Sequence, residues 1–195
     1  MPQKSGTNVL GTGERLRRAA LARFARHGYG TVTMREIAAD IGVQAGAIYG
    51  HTADKQTLLF ELIYAHWETL LAAWDATEKG AKPAERLEAL VRFHVRFHLD
   101  RPDAQSLCAT ELRNLSPQNH ATIAALRSRY IEALEAILEA GSETGEMRVP
   151  DTKLAAHAVI SMLDGVAAWQ RADKRLSAER IERIYWNLVR RAVGG

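Results

Sequence analysis

Apolar residues recur three and four positions apart along nearly the whole chain, which is the spacing of buried helical faces. The pattern predicts three short helices before Asp54 and six helices after it, and it contains no convincing strand. Asp54 and Ser177 stand where an N-cap residue is expected, before the first and the last helix of the second group. The predicted fold is all-α, with a three-helix domain over 1–55 and a six-helix domain over 56–195.

The stretch from Thr33 to Lys55 contains two short helical patterns that are joined at Gly42. Thr33, with Glu36 three residues later, forms a capping-box pattern in which each side chain accepts a hydrogen bond from the other residue's backbone N–H. Gly42 follows where the first helix must stop, because glycine tolerates the left-handed backbone of such a turn. Together the two helices predict a helix-turn-helix unit, whose second helix enters the major groove of DNA.

A capping box before a glycine also fits an ordinary helical hairpin, but the residues from the turn onward are more specific. They resemble the TetR family of transcriptional regulators, whose consensus sequence here is close to G-V-S-x-G-x-(L/I)-Y-x-H-F-x-(S/D)-K. Gln44 and Thr52 depart from this consensus. We expect Gln44 to alter the DNA preference and Thr52 to loosen the domain. The matching residues are Gly42, Val43, Gly46, Ile48, Tyr49, His51, Asp54 and Lys55.

The geometry of a helix-turn-helix unit predicts which side chains contact DNA. Helix N-termini and hydroxyl or cationic side chains bind backbone phosphates, whereas the exposed start of the second helix reads bases. Glutamine can pair with adenine and alanine can touch a thymine methyl, so direct readout is expected to be modest and assisted by DNA shape. For Tyr49, a place in the core is the alternative. The predicted phosphate contacts are Thr33, Arg35, Tyr49, His51 and Lys55, and the predicted base contacts are Gln44, Ala45 and Ala47.

Charge is unevenly distributed between the two predicted domains. Residues 1–55 carry eight Lys or Arg against four acidic residues, a net charge of +4, whereas the remainder carries −1. A basic module attached to a near-neutral body is typical of a protein that meets phosphates through one part only. A solvated basic face would give the same numbers, so charge supports the DNA hypothesis without deciding it.

The chain has 195 residues, of which 47% are hydrophobic, enough to bury a substantial core. No apolar run approaches the roughly 20 residues of a membrane span, and residues 1–13 lack the apolar centre of a signal peptide. We therefore expect a soluble, cytoplasmic protein with a disordered N-terminal arm over 4–12. The single cysteine, Cys108, is expected to be a buried structural thiol.

No catalytic motif is found in the sequence, so the protein is not expected to be an enzyme or to carry a cofactor. His94 and His98, four residues apart on one helical face, could share a zinc ion, but the spacing supplies no third ligand. We therefore expect no metal. The two histidines either hydrogen-bond a bound molecule or belong to the core. A helical metal-dependent sensor or enzyme using them is the alternative function.

The resemblance to the TetR family implies a homodimer and a pocket for a small effector. It places the dimer interface on 154–169 and 178–193, in the last two helices, and the pocket among the middle helices. The implied function is a repressor that leaves a palindromic operator when its effector binds. The segments HLDRPDA, ELRNLSP and LRSRY further resemble members that respond to acyl-CoA thioesters. The candidate effector contacts are Trp67, His94, Phe97, His98, Cys108, Glu111 and Trp169. The candidate phosphate contacts for CoA are Arg92, Arg96, Arg113 and Arg127. These four arginines are equally compatible with solvated helix faces.

Overall fold

The computed structural model describes residues 10–172 and 175–194, without the side chains at 169, 171 and 172. Its described residues form helices and no strand, which confirms the predicted all-α fold. None of these helices combines the length and the apolar character needed to cross a membrane. The helices are α1 (Thr12–His27), α2 (Met34–Asp40), α3 (Ala45–Ile48), α4 (Lys55–Asp75), α5 (Pro83–Leu99), α6 (Pro102–Thr110), α7 (Pro117–Glu143), α8 (Thr152–Asp164), α9 (Val166–Ala172) and α10 (Ala178–Ala192).

The chain forms two compact units, Met1–Leu62 and Ile63–Gly195. The division falls inside α4, so residues 55–62 of this helix belong to the first unit and its remaining residues to the second. Of the N-terminal arm predicted over 4–12, residues 4–9 lie outside the described part of the chain, and Thr12 already belongs to α1.

The first unit is organised around an apolar seam on α1. Leu16, Ala20 and Phe24 are spaced by four residues, lie on one face and are at most 1% exposed. They share the core with Ile37 of α2 and Ile48 of α3, both fully buried. Burying side chains of this size contributes about 1.5–3 kcal/mol each, so the seam accounts for how such short helices remain folded.

Helix starts in both units are capped by side chains, including those predicted at Thr33, Asp54 and Ser177. Thr33 and Glu36 form the predicted capping box: the Glu36 N–H donates to the Thr33 hydroxyl at 3.3 Å, and the Thr33 N–H donates to the Glu36 carboxylate at 2.8 Å. The Asp54 carboxylate accepts from the backbone N–H of the third residue after it at 2.7 Å. Ser116 and Ser177 accept equivalent bonds, each at 3.3 Å, at the starts of α7 and α10.

Helix α5 lies at the centre of the second unit and packs against α6, α7, α8, α9 and α10. Its inward face mixes aliphatic residues with imidazoles, since His94 and His98 are each only 1% exposed. The facing side of α7 contributes Tyr130, which is fully buried. This mixture of apolar and polar side chains distinguishes the core of the second unit from the apolar seam of the first.

Two helical segments of the second unit are interrupted. Gly165 separates α8 from α9. Next to this break, the Gln105 side-chain amide donates to the Asp164 carbonyl at 3.2 Å. Helix α6 ends at Thr110, and a 3-10 turn over Leu112–Asn114 follows it.

The loop between α7 and α8 is held to both its preceding helix and the end of the chain. The Met147 N–H donates to the Gly141 carbonyl at 2.9 Å, and the Arg148 N–H donates to the Val193 carbonyl at 2.8 Å. Met147 packs so closely on Gly141 that a Cβ built there would lie 2.5 Å from the methionine sulfur. Any larger residue at 141 would therefore force the Met147 side chain to move.

Replacing Gly42 by alanine is expected to destabilise the protein by roughly 1–2 kcal/mol, because Gly42 has a φ of 70°. The matched control is Gly46→Ala, which should be neutral or stabilising by up to about 1 kcal/mol, since Gly46 is helical. Neither new methyl meets an atom within 4 Å, so sterics do not confuse the comparison. Urea unfolding at one protein concentration measures both; equal stability of the two variants would contradict the left-handed turn.

Candidate nucleic-acid interface and buried histidine cluster

The turn between α2 and α3 is closed by backbone hydrogen bonds and by buried side chains on either side. The N–H of Gly42 donates to the Ala39 carbonyl at 3.0 Å, and that of Val43 to the Ala38 carbonyl at 3.1 Å. Ile41 before the turn and Ile48 after it are buried. The two helices are thereby fixed relative to each other, with the outer face of α3 exposed.

The outer face of α2 and α3 presents most of the side chains predicted to contact DNA. Tyr49 is 53% exposed, which excludes its alternative assignment to the core. Ala45 and Lys55 are half-buried. The remaining predicted contacts, all exposed, are Thr33, Arg35, Gln44, Ala47 and His51. As DNA contacts, all eight stay predictions.

Lys55 has an internal role that sequence reasoning did not anticipate. Its ammonium donates to the backbone carbonyls of Tyr29 and Val32, both at 2.7 Å, and lies 4.3 Å from the centre of the Tyr29 ring. An ammonium has three N–H donors, so two of them are used to hold the segment between α1 and α2. The side chain stabilises the unit from within, whatever it contributes to DNA binding.

Thr52 is buried at the position where the family consensus has a phenylalanine. It is 5% exposed, and its hydroxyl donates to the Asp54 carbonyl at 3.1 Å. Because the hydroxyl has a partner, its burial avoids the penalty of an unsatisfied polar group. The predicted loosening of the domain stays a prediction.

Arg23 neutralises the acidic side chains of α2. Its guanidinium forms two hydrogen bonds with the Asp40 carboxylate, one of them 2.7 Å long, and lies 3.6 Å from Glu36. Hydrogen bonding from Arg23 lowers the pKa of Asp40, and bonding to Thr33 lowers that of Glu36. Both carboxylates therefore stay ionised at neutral pH with a cation beside them, which limits their repulsion of a phosphate backbone.

Three buried imidazoles, His66, His94 and His98, form a cluster in the second unit, which we call the histidine cluster. The rings of His94 and His98 have centroids 4.2 Å apart, and His66 stacks on His98 at 5.5 Å. Tyr130 stacks on His94 at 5.8 Å, and Trp67 contacts Tyr130 edge-on at 6.5 Å. Helices α4, α5 and α7 thus bring polar aromatic groups together in a largely aliphatic interior.

Several polar atoms around the histidine cluster lack a hydrogen-bond partner among the described residues. They are both nitrogens of His66, both nitrogens of His94, the Nδ1 of His98, the Trp67 indole nitrogen and the Tyr130 hydroxyl. An unsatisfied buried polar group costs about 1–3 kcal/mol, so this concentration is unfavourable for a closed core. These donors and acceptors without a partner mark the histidine cluster as a candidate binding site.

Burial also sets the protonation of these groups. Desolvation lowers the pKa of His66 to about 4 and lowers that of His98 well below its usual range. Both imidazoles are therefore neutral at neutral pH and present a lone pair as well as an N–H. Burial raises the pKa of the Cys108 thiol, in agreement with the expected structural thiol.

The structure brings together most of the predicted effector contacts. Trp67, His94, Phe97 and His98 are linked through the ring contacts of the histidine cluster, and Phe97 lies 5.5 Å from His98. Cys108 shares with Trp67 the wall of an adjoining cavity of about 200 Å³. Glu111 is buried as well, but its carboxylate accepts hydrogen bonds from its neighbours in the chain. The side chain of Trp169, on α9, lies outside the described part of the structure.

Sequence reasoning missed Asp164, Gln105 and His66 as members of this site. Asp164 ends α8 with its carboxylate 3.5 Å from His94 and 3.8 Å from Arg127. It is the one carboxylate in an apolar run from 154 to 168, and that isolation was the available signal. Gln105 and His66 carry no comparable signal, because each looks like an ordinary residue within a helical pattern.

An exposed second helix after a glycine turn, attached to a larger helical unit, defines a helix-turn-helix protein. Residues 16–62 match the family model described as bacterial regulatory proteins of the tetR family, and residues 80–193 match the tetracyclin repressor-like C-terminal domain. The chain belongs to the tetR family. Its family and its fold are those of transcriptional regulators.

Individual relatives agree with this assignment. The HTH-type transcriptional repressor KstR2 of Mycobacterium tuberculosis strain H37Rv is 33% identical over 106 residues, 50% of this chain and 52% of the relative, so the match spans about half its length. A tetR-family regulatory protein from Rhodococcus RHA1 superposes with a TM-score of 0.88 at 33% identity, covering 93% of this chain and 96% of the other. AibR, solved with isovaleryl coenzyme A and operator DNA, shares the fold (TM-score 0.78, 23% identity, 90% and 96% covered).

Replacing Lys55 by methionine is expected to lower the free energy of unfolding by about 1–3 kcal/mol, because two carbonyls lose a charged donor. Arg35→Met is the matched control, since Arg35 is exposed on α2 and its loss should change stability by less than about 0.5 kcal/mol. Chemical denaturation measures both. If the two variants were equally stable, the internal role of Lys55 would be refuted.

Proposed function

We propose that the protein is a homodimeric, ligand-responsive repressor that binds a palindromic operator and leaves it when a small effector binds. The observation that carries this proposal is the exposed face of α3, where Gln44, Ala47 and Tyr49 point outward from a helix fixed by a buried turn. Such a regulator acts on cytoplasmic DNA. Membership of the tetR family supports both the class and the mode of binding.

Base reading in this proposal falls to the start of α3. Gln44 can form a bidentate pair with adenine, and the methyl groups of Ala45 and Ala47 suit thymine. Small side chains there, including Gly46, allow the backbone to approach the groove floor closely. Arg35, Tyr49, His51 and Thr33 lie on the same exposed faces and contact phosphates, with Lys55 added through its remaining donor.

Dimerisation is proposed through α8 and α10, as the family resemblance implies. Leu154, Ile184 and Leu188 are 67%, 38% and 48% exposed, and they lie on these two helices. Ile184 and Leu188 are four residues apart and so share one face of α10, and adjoining exposed apolar side chains are typical of a protein interface. A dimer with this interface would present two α3 helices to successive major grooves, which requires a separation of about 34–36 Å.

The proposed effector binds in the second unit and is a CoA thioester or another lipid or aromatic catabolite. The histidine cluster and the adjoining cavity supply polar and apolar contacts for an acyl or aromatic part. A groove of about 480 Å³ offers stacking surfaces on Phe93 and Phe97 and the cation of Arg101 for a nucleotide part. Arg92 and Arg96 also line it, and they are paired there with Glu88 and Glu182. The effector weakens operator binding only by its differential affinity for the two conformations of the dimer.

Two substitutions should affect operator binding in different ways. Arg35→Ala removes a phosphate contact, so it should weaken binding to all sequences and lower the salt-dependence slope by about 1. Gln44→Ala removes a base contact, so it should relax discrimination at one operator position by about 1–3 kcal/mol. Salt-titrated fluorescence anisotropy on fragments of the protein's own promoter region measures both effects.

Arg129→Ala is the control for this experiment, because Arg129 is exposed on α7 in the other unit and should leave DNA affinity unchanged. If the wild-type protein forms no complex that prefers one DNA sequence at low salt, the proposed function is wrong. The same assay, repeated with a series of acyl-CoA thioesters, tests the effector class; a lack of operator release by every member would remove CoA thioesters from the proposal.

Introducing a charge into the proposed interface should dissociate the dimer. Leu188→Glu places a carboxylate where the apolar faces of two copies meet, so sedimentation should show a shift towards monomer. Ser128→Glu, at an exposed position on α7, is the control and should stay dimeric. A Leu188→Glu variant that sedimented like the wild type would move the interface away from α10.

A further inference from the structure

Two histidines and one carboxylate converge inside the second unit. His94 and His98 lie one turn apart on α5, and Asp164 reaches them from the end of α8. One candidate ligand atom from each residue lies within 4.8 Å of the other two, and both histidines are almost completely buried. Sequence spacing offered only the two histidines, because the third group comes from a helix 66 residues further along the chain.

The His94 ring is poorly satisfied where it stands. Both of its nitrogens are buried without a hydrogen-bond partner among the described residues. Its Nε2 faces the Asp164 Oδ1 at 3.5 Å, which is too long for a good hydrogen bond. A buried imidazole normally has partners, so the gap between this ring and the carboxylate is where a further partner would bind.

The Asp164 carboxylate is held in place by groups that leave one oxygen accessible to the histidines. The Gln105 amide donates to Oδ1 at 3.3 Å and to the Asp164 backbone carbonyl at 3.2 Å. Arg127 lies 3.8 Å from the other oxygen, Oδ2. Oδ1 accepts one bond from Gln105 and keeps a second lone pair towards His94. Outer partners of this kind orient the ligands of metal sites.

We propose that His94, His98 and Asp164 bind a single divalent transition-metal ion, with Zn²⁺ as the ion that best suits two imidazoles and one carboxylate. Three protein ligands leave a fourth tetrahedral position open to water or to a small ligand. Bonds of about 2.0–2.2 Å place tetrahedral ligand atoms about 3.4 Å apart, so the three groups must draw together by about 1.4 Å or less. Small side-chain rotations accommodate this change.

The surroundings suit such an ion. Asp164 lines the cavity of about 200 Å³ that it shares with Trp67 and Cys108, so the carboxylate side of the site adjoins open space. His66 stacks on His98 at 5.5 Å and supports that ring from outside the ligand set.

This inference goes beyond the proposed function and does not depend on it. A metal ion at this place would make the effector site sensitive to metal supply, and the open position would select effectors that carry a donor atom. The site lies wholly within the second unit, so its occupancy can be measured without DNA. A failure of operator binding would therefore leave the metal proposal standing, and the reverse holds as well.

Cobalt(II) is the probe, because it replaces zinc and absorbs visible light when bound tetrahedrally. The full-length protein, freed of metal by dialysis against a chelator, is titrated with CoCl₂ and followed by absorbance. We expect one Co²⁺ per chain with intense d–d bands, which excess Zn²⁺ removes. Asp164→Asn and His94→Gln should each weaken Co²⁺ binding by at least about tenfold. His157→Gln, at an exposed histidine on α8, should not weaken it.

Each outcome of the titration decides the proposal. Loss of the bands in Asp164→Asn and His94→Gln, with unchanged circular dichroism, supports the site. Wild-type protein that binds no stoichiometric Co²⁺, or binding that survives both substitutions, overturns it, and loss in His157→Gln alone would mark a surface site. If the ligand variants misfold, Gln105→Leu serves instead, because it keeps all three ligands. It is expected to weaken Co²⁺ binding about tenfold, since the Asp164 carboxylate is no longer held. Unchanged Co²⁺ affinity in that variant overturns the proposal.

Discussion

The burial of polar rings along α5 is the constraint on which the second unit depends. This helix is enclosed by five others, so whatever its inward face carries cannot reach bulk water. An aliphatic residue at position 94 or 98 would satisfy packing alone. The chain instead places His94 and His98 there, next to Tyr130 and His66, and so retains donors and acceptors at high energetic cost. Such a cost is typical of positions kept for binding, and both proposals for this unit derive from it.

In the first unit, very short helices are held in place by a small hydrophobic core. The four residues of α3 cannot form a stable helix alone, and they depend on buried Ile48 and on the preceding turn. Lys55 and Arg23 add charged bonds that cross between elements. These charged hydrogen bonds add to the stabilisation that the apolar seam of α1 provides. The outer surface of α3 is therefore not needed to hold the unit together.

Much of the fold was predictable from the sequence, because its signals are local. The capping box of Thr33, the cap at Ser177 and the turn at Gly42 each depend on residues within four positions of one another, and all three were confirmed. The role of Lys55 was not predictable, since its partners are backbone carbonyls 23 and 26 residues away. Asp164 was missed for the same reason: its neighbours come from α5, α6 and α7, and periodicity describes one helix at a time.

The loop between α7 and α8 shows how the end of the chain is integrated. Its Arg148 N–H bonds the Val193 carbonyl at the end of α10, and its Met147 packs on Gly141 within α7. This loop belongs to the same cooperative unfolding unit as α7 and α10, because its backbone opens only if its contacts with these two helices break. The C-terminal turn of α10 is therefore stabilised beyond what a terminal helix would retain by itself, and fraying at this end is coupled to loss of structure in the body.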